Sequence, residues 1–143
     1  MKTPIIVLSL FGLMLMPLLA QSAEDDGREV VALPAMMKDH MLGNMRDHLR
    51  ALHEIQTALA KGELDQAGDI AEARIGMSSL ASHNAAHMAP YMPKGMQATG
   101  TKMHHAASRF AMSAKEGDLP KALEGLSKIT EQCVSCHTAY RLK

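Results

Sequence analysis

The stretch that most constrains this 143-residue chain is Cys133-Val134-Ser135-Cys136-His137, close to the C-terminus. Its two cysteines are the only ones in the sequence. Residues three apart share a face of a helix, so both thiols can reach the same edge of a flat partner. The spacing C-x-x-C-H is the attachment signature of c-type haem, in which the histidine binds the iron. The motif therefore predicts one covalent haem c, attached at Cys133 and Cys136, with His137 as the proximal ligand.

Two other interpretations of the same residues stay open at this point. A thioredoxin-type redox couple also has the C-x-x-C spacing, but it belongs at the start of a helix near a βαβ pattern. A structural disulfide across two intervening residues would close a very small loop and stabilise the fold little. Here the motif lies deep in a helical pattern at the end of the chain, which favours haem.

The first 23 residues have the layout of a secretory signal peptide. Lys2 supplies the positive charge, residues 4–19 form an apolar core, and small residues follow. Cleavage is predicted after Ala20 or Ala23. The apolar run of about 16 residues is shorter than the ~20 that a spanning helix needs, so we expect export and no stable membrane span. Export would place the mature protein in a periplasm, where c-type haem is normally attached.

Charge and composition narrow the class of the mature chain. Fifteen acidic residues face fourteen basic ones once Lys2 is removed, which argues against nucleic acid as a partner because phosphate binding needs a basic excess. Trp is absent and Phe and Tyr are scarce, whereas Ala, Leu and Met abound. This composition favours helix over strand. Residues 24–33 are polar and are expected to form a flexible lead-in, and residues 34–143 have the length of one domain.

Apolar periodicity predicts four helices and therefore an all-α fold. They are expected over about residues 34–60, 64–88, 96–115 and from 119 to beyond the motif, separated by Gly- and Pro-containing turns. The apolar stripe of the first helix is predicted at Leu42, Met45, Leu49, Leu52 and Leu59, with Met41, His48 and Ile55 flanking it. Short connections between four helices predict an antiparallel up-down-up-down bundle. The haem motif would lie on the inward face of the last helix.

The tail from Gly117 onward, ending in C-V-S-C-H-T-A-Y-R, resembles the last helix of cytochrome c′ and its low-spin relatives. That family is a four-helix bundle with C-x-x-C-H-x-x-Y/F-R at its C-terminus. The resemblance implies thioethers at Cys133 and Cys136, a proximal His137, and Arg141 beside the proximal face. It also implies periplasmic redox partner proteins, and it adds a homodimer through the first two helices to the expectations.

The sixth iron ligand separates two functions within the resemblance. Low-spin relatives use a Met of the first helix, whereas five-coordinate cytochromes c′ leave the iron open to NO or CO. Counting back from Lys61 places the family's distal position near residues 45 and 46, and the stretch M-R-D-H from Met45 resembles the M-K-D-N of low-spin members. Met45 is the expected distal ligand, with Met41 one turn earlier as the alternative and His48 as a bis-histidine option. We therefore expect a single-electron carrier that is not an enzyme; the alternative is an NO- or CO-binding haem protein.

Several histidines are left over from this assignment. His83 and His87 lie four residues apart and would share a helical face. With Met88, Met92 or His104 they could hold a second metal ion, and thioether plus imidazole ligation would suit copper. The other interpretation is that they are ordinary solvated or hydrogen-bonded side chains.

Overall fold

The computed structural model describes residues 26–143, so the predicted signal peptide lies outside the described residues. The described chain is predominantly helical, which confirms the prediction of an all-α fold. The helices are α1 Ala35–Ala60, α2 Leu64–Arg74, α3 Ala85–Met88, α4 Lys94–Ala114 and α5 Leu119–Ala139. Short 3-10 turns occupy Met77–Ser79 and Ala89–Tyr91, and two short strands, β1 Glu29–Val31 and β2 Tyr140–Leu142, pair in parallel. Across residues 26–143, no helix has both the length and the apolar character needed to cross a bilayer.

The long helices pack in a chain of neighbours. α1 packs on α2, α2 on α4 and α4 on α5, whereas α1 and α5 approach each other at few points. Gly68 allows α2 and α4 to come close, because a Cβ there would lie 2.9 Å from the carbonyl oxygen of Ala111. On the other side of α4, the ring of Phe110 packs over Gly125 of α5. A Cβ added at Gly125 would lie 3.2 Å from the Phe110 ring.

Small and aliphatic side chains from these four helices form one continuous core. Phe110 is its largest fully buried side chain, at 1% exposure. Alanines such as Ala51, Ala67, Ala107 and Ala122 are completely or almost completely buried. Because alanine has only a methyl group, the helix axes can approach closely without cavities.

The buried face of α1 differs from the predicted stripe. Leu49, expected to face the core, is 71% exposed. The buried face consists of Met41, His48, Ala51, Ile55, Ala58 and Leu59. The buried face is therefore shifted toward Met41, His48 and Ile55, which were predicted to flank the stripe, and Leu59 is the member of the predicted stripe that belongs to it. Small residues produced the error, because Ala51 and Ala58 carry little apolar signal although they make the close contacts.

The predicted second helix is interrupted. α2 ends at Arg74, and the remaining residues form a compact connection of short turns. Gly76 is in an extended conformation and the carboxylate of Glu72 accepts a hydrogen bond from the backbone N–H of Ser78 at 3.1 Å. Asn84 adopts the left-handed conformation, with φ 54°. Ser and Asn side chains compete with the helical backbone for hydrogen bonds, so an apolar period alone does not keep this segment helical.

The segment expected to be a flexible lead-in contains strand β1. Val31 is 3% exposed, and its carbonyl accepts a hydrogen bond from the N–H of Lys143 at 3.1 Å. The register sets Glu29 opposite Tyr140 and Val31 opposite Leu142. The polar composition of this stretch did not predict a strand. β1 forms because it pairs with β2 at the far end of the chain, and the local sequence carries no signal of that partner.

Replacing Phe110 with alanine should lower the free energy of unfolding by about 3–5 kcal/mol, because it leaves a cavity in a core with few large side chains. Urea denaturation measures the change. Met112→Ala is the matched control in the same helix, since Met112 is 64% exposed, and it should cost less than about 0.5 kcal/mol. Equal losses in the two variants would contradict the core described above.

Candidate functional site

The C-x-x-C-H motif occupies the last turns of α5. Cys133 and Cys136 are free thiols, both half-buried, on one face of the helix. The thiol of Cys133 donates to the carbonyl oxygen of Ile129 at 3.5 Å, and its side chain packs against the hydrophobic core. Burial raises the pKa of both thiols because the thiolate is poorly solvated there. At neutral pH both cysteines are therefore protonated.

His137 follows directly and is exposed, although the prediction set it on the inward stripe of the helix. Its imidazole has no hydrogen-bond partner among residues 26–143. Its backbone carbonyl accepts a hydrogen bond from the guanidinium of Arg28 at 3.4 Å. The ring nitrogens are thus available to a ligand while the backbone behind them is held.

The segment after the motif is fixed by the start of the described chain. Arg141 is half-buried in β2, and its Nε lies 3.5 Å from a carboxylate oxygen of Asp26. That separation makes an ion pair but is too long for a good hydrogen bond, and the buried Nε has no closer acceptor. Tyr140 lies against Gly95 in the first turn of α4, where any Cβ would collide with the tyrosine hydroxyl. The end of α5 is therefore held by both β1 and α4.

The two candidate distal ligands differ in their surroundings. Met41 is 7% exposed and belongs to the buried face of α1. Met45, one turn later, is half-buried. Both lie on α1, which approaches α5 at few points. Two shallow surface pockets lie along α2–α4 and along α4–α5. Neither is lined by a residue of the motif, by Met41 or by Met45.

Three histidines meet in the interior at some distance along the chain from the motif. They are His48 of α1, His83 of the connection after α2, and His104 of α4, and each is at most 8% exposed. Their ring centroids are 4.8 Å apart for His48 and His83, 5.5 Å for His83 and His104, and 6.3 Å for His48 and His104. We refer to these three residues as the histidine cluster.

Sequence reasoning found part of the histidine cluster. It grouped His83 with His104, but it chose His87 as the main partner, and His87 is exposed. The error came from treating residues 64–88 as one helix, in which positions four apart share a face. His48 was expected to flank the apolar stripe of the first helix and was considered as an iron ligand. It was not joined with His83 and His104, because these lie on other elements of the fold.

The hydrogen bonds of two cluster members fix their tautomers. Nδ1 of His104 lies 2.6 Å from the carbonyl oxygen of Ile75; a carbonyl can only accept, so this nitrogen carries the hydrogen. The hydroxyl of Ser79 donates to the carbonyl of Gly76 at 2.7 Å and lies 3.2 Å from Nδ1 of His83. Its only hydrogen is thereby used, so His83 is the donor to Ser79. Both rings keep a lone pair on Nε2.

His48 is the least satisfied member of the histidine cluster. Its Nε2 is buried and has no hydrogen-bond partner. Burial, followed by the proximity of His83 and His104, lowers the pKa of His48 to about 4. Burial also lowers the pKa of His83. As the side chains stand, no three His, Cys, Asp or Glu residues within 26–143 form a group that already encloses a metal position.

Comparisons of the chain with protein-family models, with curated proteins and with solved structures found no match. The functional assignment therefore depends on the residues of the chain and their placement.

Stability should fall on mild acidification because of His48. Between its ordinary pKa of 6.5 and about 4, the unfolded chain binds a proton at His48 that the folded chain does not, so the free energy of unfolding decreases as the pH falls through this window. The full effect is about 3 kcal/mol. Urea unfolding between pH 7 and pH 5 in EDTA-containing buffer measures the slope.

A variant pair isolates this contribution. His48→Leu should make the slope shallower, with a remainder due to His83, whose pKa burial also lowers. His105→Ala, at the exposed neighbour of His104, should leave it unchanged. A slope that keeps its full size in His48→Leu would assign the acid sensitivity to other groups.

Proposed function

We propose that the chain is an exported, periplasmic c-type cytochrome that carries single electrons. One haem c would be attached through Cys133 and Cys136, with His137 as the proximal ligand and Met45 as the distal one. The observation that carries the proposal is a pair of half-buried free thiols beside an exposed imidazole in the last turns of α5. Two thiols and an imidazole in this order are the donor set that covalent haem requires. The group supplies a reversible one-electron iron couple when bound, and the protein supplies attachment, axial ligands and shielding from water.

The state of the thiols argues against a dithiol oxidoreductase. Redox-active C-x-x-C pairs lie at helix N-termini, where the helix dipole lowers the thiol pKa. Cys133 and Cys136 lie near the C-terminus of α5, and burial raises the pKa of each. Protonated, partly buried thiols are poor nucleophiles toward disulfides, so haem attachment fits this pair better.

Two glycines inside helices support the presence of a bulky neighbour near the motif. A Cβ at Gly43 of α1 or Gly100 of α4 would meet nothing within 4 Å, so protein packing does not require either glycine. Each costs about 1 kcal/mol relative to alanine inside a helix. Gly95 of α4 lies against Tyr140. Gly100 follows Gly95 by five residues and Cys136 precedes Tyr140 by four, so Gly100 and Cys136 lie at roughly the same height along the two helices. We infer that these bare backbones border the haem.

The contacts between helices support an antiparallel up-down-up-down bundle of α1, α2, α4 and α5. Gly95 near the start of α4 lies against Tyr140 beyond the end of α5, whereas Phe110 lies against Gly125. The carboxylate of Asp47, in the first half of α1, pairs with Arg74 at the end of α2 at 2.5 Å. The first two pairs join the beginning of one of α4 and α5 to the end of the other, and the third brings the end of α2 back to the middle of α1, as antiparallel packing requires.

Met45 is the better distal candidate because its side chain is only half-buried on α1, whereas Met41 is enclosed in the core. A thioether paired with histidine raises the potential of haem iron and fills the sixth position. Such an iron exchanges electrons with partner proteins without binding a substrate. This ligation favours the electron carrier over an NO- or CO-binding protein.

The attachment is tested by replacing both cysteines with alanine. Cys133→Ala/Cys136→Ala should release the haem on a denaturing gel stained for haem, because no thioether would hold it. Val134→Ala/Ser135→Ala is the matched control: both residues lie between the cysteines and are exposed, and this variant should retain the stain. Retention by the cysteine variant would overturn the attachment.

The distal ligand is tested by Met45→Leu. Met and Leu have similar volumes, so packing should cost less than about 1.5 kcal/mol. The loss of the thioether should convert the ferric protein from low-spin to high-spin and allow the ferrous protein to bind CO. Optical spectra and a CO titration measure both effects, and Met41→Leu, one turn away, should change neither.

The remaining outcomes of this series are distinct. A high-spin Met41→Leu protein would move the distal ligand by one turn and leave the electron-carrier function intact. A spectrum that changes only in His48→Ala would indicate bis-histidine ligation. A wild-type protein that is already high-spin would overturn the electron carrier in favour of an NO- or CO-binding haem protein.

A further inference from the structure

We propose that the histidine cluster is a second metal site, which takes a divalent late transition-metal ion such as Zn²⁺ through the Nε2 atoms of His48, His83 and His104. The proposal does not depend on the haem, because the histidine cluster and the C-x-x-C-H motif share no residue. Three neutral imidazoles are a recurrent ligand set for such ions, with a fourth position left for water.

The hydrogen bonds of the cluster orient two of the ligands. The Nδ1–H groups of His104 and His83 are directed to Ile75 and Ser79, so their Nε2 lone pairs are left for another partner. Metal-binding histidines characteristically donate their second nitrogen in this way to a carbonyl or other acceptor, which fixes the tautomer and the ring. A merely structural histidine would more simply use both nitrogens in hydrogen bonds.

The spacing of the rings matches a metal centre. Zinc–nitrogen distances of about 2.0–2.1 Å place each ring centre roughly 3.2 Å from the ion, so the ring centres of a tetrahedral site are about 5.2 Å apart. The three observed separations, 4.8, 5.5 and 6.3 Å, bracket this value. The side chains as placed do not yet enclose an ion. The Nδ1 hydrogen bonds hold the rings of His83 and His104. We therefore expect the ion to turn the ring of His48, whose Nε2 has no hydrogen-bond partner among residues 26–143, about its final side-chain bond, which has broad energy wells in histidine.

The unsatisfied nitrogen of His48 points to a ligand. His48 is 6% exposed, and its buried Nε2 has no hydrogen-bond partner in the part of the chain that the structure describes, residues 26–143. Buried polar atoms are nearly always paired, and an unpaired one destabilises the fold. The nearby acid, Asp47, is already paired with Arg74 at 2.5 Å, so it does not supply the partner. A metal ion would satisfy His48 and the two other Nε2 atoms at once.

The test uses the folded protein as it is purified, treated with EDTA and then dialysed against Zn²⁺. We expect one zinc per chain by elemental analysis, and zinc X-ray absorption with three nitrogen scatterers at about 2.0–2.1 Å. His48→Ala and His104→Ala should each weaken zinc binding at least tenfold. His105→Ala, at the exposed neighbour of His104, is the matched control and should bind zinc as the wild type does.

Ser79→Ala keeps all three imidazoles but removes the hydroxyl that accepts the hydrogen bond of His83. It therefore tests whether a weaker zinc affinity comes from a disturbed ligand or from a protein that no longer folds. It should weaken zinc binding by about 10- to 100-fold while the circular dichroism spectrum stays that of the wild type. A folded wild-type protein that takes up no zinc would overturn the proposal. Zinc bound with wild-type affinity by folded His48→Ala, His104→Ala or Ser79→Ala protein would also overturn it and assign the ion to exposed histidines.

Discussion

The packing of α4 against α5 determines where the thiols stand, and the rest of the site depends on it. Phe110 over Gly125 and Gly95 against Tyr140 fix α5 at two heights, and β1 holds the segment that follows. With α5 held in this way, Cys133 and Cys136 present one half-buried edge instead of turning freely. A covalent cofactor needs such a fixed edge, because both bonds must form to one planar group.

The interior of this small helical domain contains polar side chains as well as apolar ones. Three imidazoles are buried, and the side-chain amide of Asn44 donates to the carbonyl of His83 at 3.1 Å. Burying a histidine nitrogen without a partner destabilises the fold, and Nε2 of His48 has no hydrogen-bond partner among residues 26–143. The proposed haem and the proposed metal ion would address the same physical difficulty: within residues 26–143 the core has small apolar side chains and one fully buried phenyl ring, Phe110, so bound groups would add stability.

The sequence was most informative where local rules decide the structure. The limits of α1 and α4 and the start of α5 followed from Pro and Gly residues in the turns. Prediction from the sequence failed where contacts between residues far apart in the chain determine the structure. The break after Arg74 depends on Glu72 bonding to Ser78, the burial of α1 depends on alanines with weak apolar signal, and β1 depends on β2. The cysteines were found because their chemistry needs a fixed spacing, whereas the histidine cluster joins residues that only tertiary packing brings together.

The central claim is that this chain holds haem by two thioether bonds, and intact mass measurement under denaturing conditions tests it most directly. The full chain, including the predicted signal peptide, should be produced in a host that matures c-type cytochromes, and the product should then be treated with an alkylating reagent. We expect a single species heavier than its polypeptide by one haem, with no thiol left to alkylate. A polypeptide of unmodified mass that takes up two alkyl groups, or that does so only after reduction of a disulfide, would contradict it.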